Sequence, residues 1–555
     1  MKLIREVLKI IVVIIFMVAA YNVCKLTPYY IDRVTYEEDE IRMIIDDSEK
    51  TKSLPNPAII DDEEVLLSID TIKKYFDEYI YFDEKYNTVI AASGEYVVKM
   101  PLGSRIIDIN DEYKNVKVSA KKINETVYIP IKELSDVYDI DVTYNEKVII
   151  TTGDAKFYTV SVNKKIHTKK YEREFCLTTE VVSKKEKIDI FNEEFETLPD
   201  DTYVWVRTEE GSLGYVKKSN IGVESIESTP RITSQSETSM PRISLTWEYA
   251  SNYTPDRTSE KKIDGLDIVS PTWVYVTNTS GDIKENVSTS YINWALTQGY
   301  DVWPTIKNDD IGIDKTSVLL NDMHARKNFV DKIINLCEKY NFKGINLDFE
   351  HMYMNDKEEY AELVRELSST LRRKGIISSV DVNVPDGSAN WSLCFDSKAI
   401  SDAVDYIIVM AYDQYGASSA TSGPVASLAW VEANLKKMIE RDKIDNKKLV
   451  LGVPFYSRFW KEKNGVVTST SALSMEKAKE YMSKNKNNTV WNEVAGQYVV
   501  NYKSKSEDVI IWVEDENSLE KKLELMNKYE LAGVASWRRG FETNGVWEKI
   551  EEAMK

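Results

Sequence analysis

The sequence predicts a multidomain chain: a (β/α)8 TIM barrel with a small insertion, preceded by an α+β repeat domain and a small β-barrel domain. Three observations carry this. Eight strand candidates alternate with amphipathic helices between residues 241 and 555. Residues 58–153 hold a duplicated strand, helix and hairpin pattern. Residues 154–222 are rich in strand formers and turns and show no helical period. At ~150 residues per domain, a chain of 555 residues has room for all three.

In the barrel region the strands fall at Ile243–Trp247, Leu266–Val276, Val302–Ile306, Gly344–Glu350, Ser378–Val384, Tyr406–Asp413, Leu449–Tyr456 and Gly533–Arg538. The helix after the fourth aligns Tyr360, Leu363, Val364, Leu367 and Leu371 in one apolar stripe. The helix before it does the same with Phe329, Val330, Ile333, Ile334 and Cys337. An insertion at 460–515 is expected between the seventh and eighth strands. Upstream, Glu64–Ile69 followed by Ile72 is echoed by Thr126–Ile131 followed by Leu134, and Tyr81–Lys85 by Thr143–Lys147.

The fourth strand, Gly344–Ile345–Asn346–Leu347–Asp348–Phe349–Glu350, alternates polar with large apolar residues. Alternate side chains of a strand share a face, so Asn346, Asp348 and Glu350 form one row at ~6.6 Å spacing, with Ile345, Leu347 and Phe349 opposite. A polar row walled by hydrophobics costs free energy unless it is hydrogen-bonded or does chemistry. Its acidic pair falls at the strand's C-terminal end, where parallel α/β folds place active sites. A polar edge strand is the plainer alternative. His351, on the opposite face if the strand continues, is read as a supporting or helix-lead residue, and Glu514–Asp515 as a solvated acidic turn or a cleft wall.

A formal net charge of -19 argues against nucleic acid, because phosphate binding needs clustered Lys and Arg. The 33 Tyr and 12 Trp suit sugar rings and ordinary cores alike. Cys24, Cys176, Cys337 and Cys394 lack any metal-ligand spacing and read as reduced core residues. Three histidines are too few for a His-built zinc site or a Ser-His-Asp arrangement, and no metal or organic cofactor is implied.

Residues 1–24 place Lys2, Arg5 and Lys9 ahead of a charge-free run from Ile10 to Cys24. An uncleaved membrane anchor is favoured over a removed signal, and either exports the remainder. Residues 25–57, with the acidic run Glu37–Glu40 and Pro55–Asn56–Pro57, read as a stalk, and residues 223–240 as a linker.

Aligned strand by strand, residues 241–555 resemble the catalytic domain of glycoside hydrolase family 18, the chitinase-like family. Gly344-x-Asn346-x-Asp348-Phe349-Glu350 is similar to its D-G-x-D-x-D-x-E, and Met410–Ala411–Tyr412–Asp413 to its M-x-Y-D. Gly452–Val453–Pro454–Phe455–Tyr456 and Val534–Ala535–Ser536–Trp537 match its seventh and eighth strands. The likeness is to the spore and cell-wall N-acetylglucosaminidase branch, which carries Asn at the middle acidic position. Lys343 departs from the motif where many members have Asp.

The resemblance implies roles. Glu350 is the expected general acid and base, and Asp348 the group that orients the substrate's 2-acetamido arm. Tyr412, helped by Asp413, is the expected donor to the acetamido oxygen. Trp537 is the expected floor under the sugar, Met410 and Tyr456 pocket walls or core, and Asn346 a neutral hydrogen-bond partner of Asp348. The implied reaction is retaining, substrate-assisted cleavage of β-1,4 bonds after N-acetylglucosamine. Peptidoglycan is the expected polymer, chitin oligomers an alternative, and a non-catalytic wall-binding scaffold the other class.

Residues 58–153 resemble the copper amine oxidase N-terminal-like module, which despite its name implies no copper. Residues 154–222 resemble a bacterial SH3-like domain through Val204–Thr208, the turn at Glu209–Gly211 and Gly214–Val216. The expected setting is the outer face of a membrane or the cell wall.

Overall fold

The structure, a computed structural model, describes residues 2–26, 41–173, 176, 178–228 and 240–555. The acidic run Glu37–Glu40 of the expected stalk, and residues 229–239 of the expected linker, lie outside the described residues. Two compact units are formed, Met1–Ala91 with Val98–Glu237, and Ala92–Val97 with Thr238–Lys555.

The first unit opens with helix Lys2–Leu26, whose segment Ile4–Val23 is long and apolar enough to cross a membrane and is exposed along its length. The stretch expected as a stalk is already folded from Arg42. Strand Arg42–Ile45 pairs in parallel with Lys147–Thr152, setting Ile44 beside Ile149, because Met43 and Ile44 are apolar enough to be buried completely.

The duplication has a physical centre. Strands Glu64–Ser68 and Thr126–Pro130, equivalent in the two copies, pair antiparallel with Leu67 opposite Ile129. In the first copy Ser68 caps helix Ile69–Tyr75, its hydroxyl accepting from Thr71 N at 3.2 Å. The second copy has Pro130 at that place and no side-chain cap, and only a 3-10 turn, Ile131–Leu134, follows directly.

Seven antiparallel strands from Tyr158–Val162 to Val223–Ser228 make the following β domain around Val160, Val162, Ile190 and Val206. Its last strand falls in the stretch expected as a linker: Val160 pairs with Ile226.

The second unit is a closed barrel of eight parallel strands. We label them β1 (Ile243–Glu248), β2 (Ile268–Val276), β3 (Thr305–Lys307), β4 (Gly344–Asp348), β5 (Ile377–Asn383), β6 (Tyr406–Met410), β7 (Leu449–Pro454) and β8 (Gly533–Trp537). β1 pairs with both β2 and β8, which closes the ring. All eight predicted strands are present; β2, β4, β6, β7 and β8 are shorter than predicted, whereas β1 and β3 run one residue further and β5 starts one residue earlier. β3 is preceded by a separate bridge at Asp301–Val302, because Pro304 has no N–H to give the ladder.

Leu245, Trp247, Trp303, Tyr406, Ile408 and Val450 fill the barrel. A larger shell, including the predicted helix stripes Phe329–Ile333 and Tyr360–Leu371, packs between strands and helices. The insertion starts earlier than expected, at Tyr456. It is a five-stranded antiparallel sheet running to Val513, with helix Met475–Lys484.

Gly344 opens β4 where no side chain fits, since a Cβ there would lie 2.5 Å from the Trp303 ring. Gly344→Ala is therefore expected to destabilise the barrel by about 1–3 kcal/mol. Urea unfolding followed by tryptophan fluorescence checks this, and an unmoved midpoint would contradict the packing described.

Candidate active site

β4 delivers its polar row into the barrel. Ile345, Leu347 and Phe349 pack outward, Phe349 between the rings of Phe329 (5.6 Å) and Tyr360 (5.9 Å). The pleat then turns Asn346 and Asp348 inward. The strand ends at Asp348, so Glu350 stands just beyond it on the C-terminal rim. Asn308, directly after β3, clamps that position. Its Oδ1 accepts from Glu350 N and its Nδ2 donates to Glu350 O, both at 2.9 Å.

Asn346 does not bond Asp348. Its Oδ1 accepts from Trp247 Nε1 (2.8 Å), and its Nδ2 donates to Asp381 Oδ1 (2.7 Å) and Ser379 Oγ (3.2 Å). The reason is register. Asn346 lies beside Ser379 of β5, whereas Asp348 lies beside Lys307 of β3. Lys307 Nζ donates to Asp348 Oδ2 at 2.9 Å and lies 3.8 Å from Glu350 Oε1. Asp348 Oδ1 is buried with no hydrogen-bond partner among the described residues.

These contacts set the electrostatics. Burial and the charge of Asp348 push the Glu350 carboxyl up to about 8, against the pull of Lys307. The side chain keeps 25% of its surface exposed, so this proton can be reached from solvent. Burial, then the Asp348 charge, holds Asp381 well above the ordinary carboxylate range. Burial thus disfavours the charged form of Asp381, which accepts from Asn346. Burial works against the Lys307 ammonium, but Asp348, Glu350 and Asp309 outweigh it and hold it well above the ordinary lysine value.

Aromatic rings floor the rim. Trp247 lies 6.4 Å from Tyr412, edge to face, and 6.1 Å from Trp537, which is joined to Arg538 by a cis peptide. Burial, with Asp381 and Asp348 nearby, raises Tyr412 well above the ordinary phenol range. It therefore remains a neutral donor. Met410 is buried at the end of β6. Asp413 serves other partners than Tyr412. It accepts from Tyr456 Oη (2.6 Å) and Arg458 Nη2 (3.3 Å).

Two further places differ from the sequence reading. His351 does not continue the strand: its φ is +51° and its ring stacks on Trp391 at 4.8 Å. Glu514 and Asp515 are buried rather than solvated. Glu514 pairs with Lys522 (2.8 Å), and Asp515 caps helix Glu516–Lys528.

Sequence reasoning missed Trp247, Lys307, Asn308 and Asp381. A signal for Asp381 was present, because Ser379–Val380–Asp381–Val382–Asn383 has the same two-residue alternation as β4. Among the described residues no group of His, Cys, Asp and Glu could hold a metal ion. A cavity of about 600 Å³ in the first unit is lined by Asp139, Asp189 and Arg207. There Arg207 is already spent on Asp189 and Thr151, both at 2.8 Å, so the reactive groups are those of the barrel rim.

Residues 308–542 match the family described as glycosyl hydrolases family 18, and residues 44–151 match the copper amine oxidase N-terminal domain. The chain is 28% identical over 286 residues to the uncharacterized glycosylase YvbX of Bacillus subtilis, covering 50% of this chain and 81% of that protein. It is 26% identical over 295 residues to the cortical fragment-lytic enzyme of Bacillus anthracis, covering 49% of this chain and 64% of that protein. The fold resembles the spore cortex-lytic enzyme SleL of Bacillus megaterium, with a TM-score of 0.51 at 21% identity over 62% of this chain and 77% of that one.

Asp381 yields a prediction. An acid raised above its unfolded value is fully compatible with folding at low pH and costs stability as pH climbs past that value. Asp381→Asn copies the neutral acid and removes this cost. Its melting temperature should match wild type near pH 4 and exceed it increasingly towards pH 8. A variant less stable than wild type at pH 8 would mean that Asp381 is charged.

Proposed function

We propose, because residues 308–542 match the family described as glycosyl hydrolases family 18, that this chain is a retaining, substrate-assisted hydrolase cutting β-1,4 bonds after N-acetylglucosamine. The observation that carries the reading is Glu350, a carboxyl raised to about 8 at the strand rim with Asp348 two residues behind it. A general acid works best when its pKa lies near the working pH.

In this reading Glu350 gives its proton to the glycosidic oxygen as the C1–O bond breaks. The substrate's acetamido oxygen attacks C1 from the other side, forming an oxazolinium ion. Water then attacks C1, Glu350 takes the water's proton, and the ring opens to the retained product. Asp348 faces the acetamido N–H with the buried oxygen that has no partner among the described residues. Tyr412 donates to the acetamido oxygen, and Trp537, backed by the buried Trp247, supports the sugar face. No step calls for a metal or organic cofactor.

Peptidoglycan is the proposed polymer, supported by relatives named as cortical fragment-lytic enzymes. Helix Ile4–Val23 is proposed as an anchor that holds the rest of the chain outside the membrane. The seven-stranded domain is proposed as an SH3-like module beside the repeat module, for spacing or wall contact.

The test is mass spectrometry of purified peptidoglycan after incubation with the full chain in detergent, wild type beside Glu350→Gln. Wild type should release muropeptides with N-acetylglucosamine at the new reducing end. The variant should be slower by about 100-fold or more. Release from chitin oligomers alone would reassign the polymer, and equal release by both proteins would remove Glu350 from the mechanism. Since the acid must be protonated, kcat/KM should fall as pH rises through about 8.

A further inference from the structure

We propose that Lys307 is a positioning residue of this site: its ammonium ties Asp348 to β3 and serves as the shared counter-charge of Asp348 and Glu350. The inference rests on the hydrolytic reading above and adds a residue to it from outside the matched motifs.

The placement follows from the barrel. β3 and β4 are parallel neighbours with Lys307 in register with Asp348. Paired positions on adjacent strands turn to the same face, ~4.8 Å apart. Lys307 therefore enters the barrel beside Asp348, and only 12% of its side chain is exposed. An ammonium removed from water is costly unless paired. Here Asp348 (2.9 Å), Asp309 (3.2 Å) and Glu350 (3.8 Å) surround it.

The motif itself leaves this charge to be supplied. Asn346 is neutral and already engaged with Trp247, Asp381 and Ser379, so it neither shares the charge of Asp348 nor holds its carboxylate. Lys307 does both. It binds one oxygen of Asp348 and leaves the other unpaired.

The groups acting on Glu350 are Asp348 from its own strand end, Asp309 and Lys307 from the end of β3, and Asp413 from beyond β6. Asp381, from β5, interacts with it as well. Lys307 is the one cation among these. Take it away, and Glu350 keeps its proton to higher pH, which suits the first half of the reaction and impairs the second. A loose Asp348 also positions the acetamido group poorly once substrate is bound, so kcat suffers more than KM.

The experiment uses the full chain in detergent, as wild type, Lys307→Met, Lys307→Gln and Lys307→Arg. Infrared titration of the carboxyl C=O band, with Glu350→Gln as the subtraction, reads the Glu350 midpoint without any turnover. Hydrolysis of para-nitrophenyl diacetylchitobioside across pH reads kcat and KM.

In both neutral variants the midpoint is expected to rise by about one pH unit or more. At neutral pH kcat should fall by about tenfold or more, with KM within about twofold. Lys307→Arg should bring both readings most of the way back. If Lys307→Met does not fold, Lys307→Gln carries the same test. A midpoint unmoved in a folded neutral variant overturns the proposal, as does a fall in kcat that Arg does not relieve. A shifted midpoint in a protein whose wild type cleaves neither this substrate nor peptidoglycan would sink the hydrolytic reading and leave the Lys307 charge pairing standing.

Discussion

Closure of the barrel is the constraint on which the site depends. With β1 joined to both β2 and β8, the pleat leaves every inward side chain in a space shared with seven other strands. An inward polar residue there has little water to fall back on and is matched from another strand of the ring. Asn346 is matched by Trp247 and Asp381, Asp348 by Lys307, and the backbone of Glu350 by Asn308. The matches reach from β4 to β1 (Trp247), to β5 (Asp381) and to the end of β3 (Lys307 and Asn308). The polar column is thus a set of lateral pairings, and its chemistry belongs to the ring rather than to one motif.

This explains what could be read in the sequence. The two-residue alternation of β4 is a local property, so Asn346, Asp348 and Glu350 were legible as one face before any fold was known. The helix stripes were legible for the same reason, at the helical period. Partners were not. Nothing near Asn346 in sequence says that it bonds Asp381 rather than Asp348, because the choice depends on which residues of β5 stand beside β4. Lys307 was hidden as one more charged residue ahead of Asn308–Asp309–Asp310. Whether the strand runs on through His351 was not legible either, and the residue takes a left-handed turn instead.

The N-terminal unit shows the same division. The duplication was visible as repeated residue types, but not that its two equivalent strands would pair with each other. The extra strand at Arg42–Ile45 was overlooked because four residues beside an acidic run carry too little pattern to stand out, although their burial in parallel with Lys147–Thr152 is complete for Met43 and Ile44. Composition described the neighbourhood, and tertiary pairing decided the element.

The insertion between β7 and β8 has a fixed root and a free tip. Its first residue, Tyr456, bonds Asp413, and Ser457 accepts from the backbone of Glu514 at the other end of the excursion. Glu514 is held in turn by Gln497, Ser518 and Lys522. Far from this knot, Val466 at the turn of the first hairpin is exposed. Lineages and engineers can therefore rewrite the outer hairpins at little cost to the barrel. Trimming the excursion at its base would instead disturb a carboxylate on the rim, so the root behaves as catalytic scaffold and only the tip as accessory.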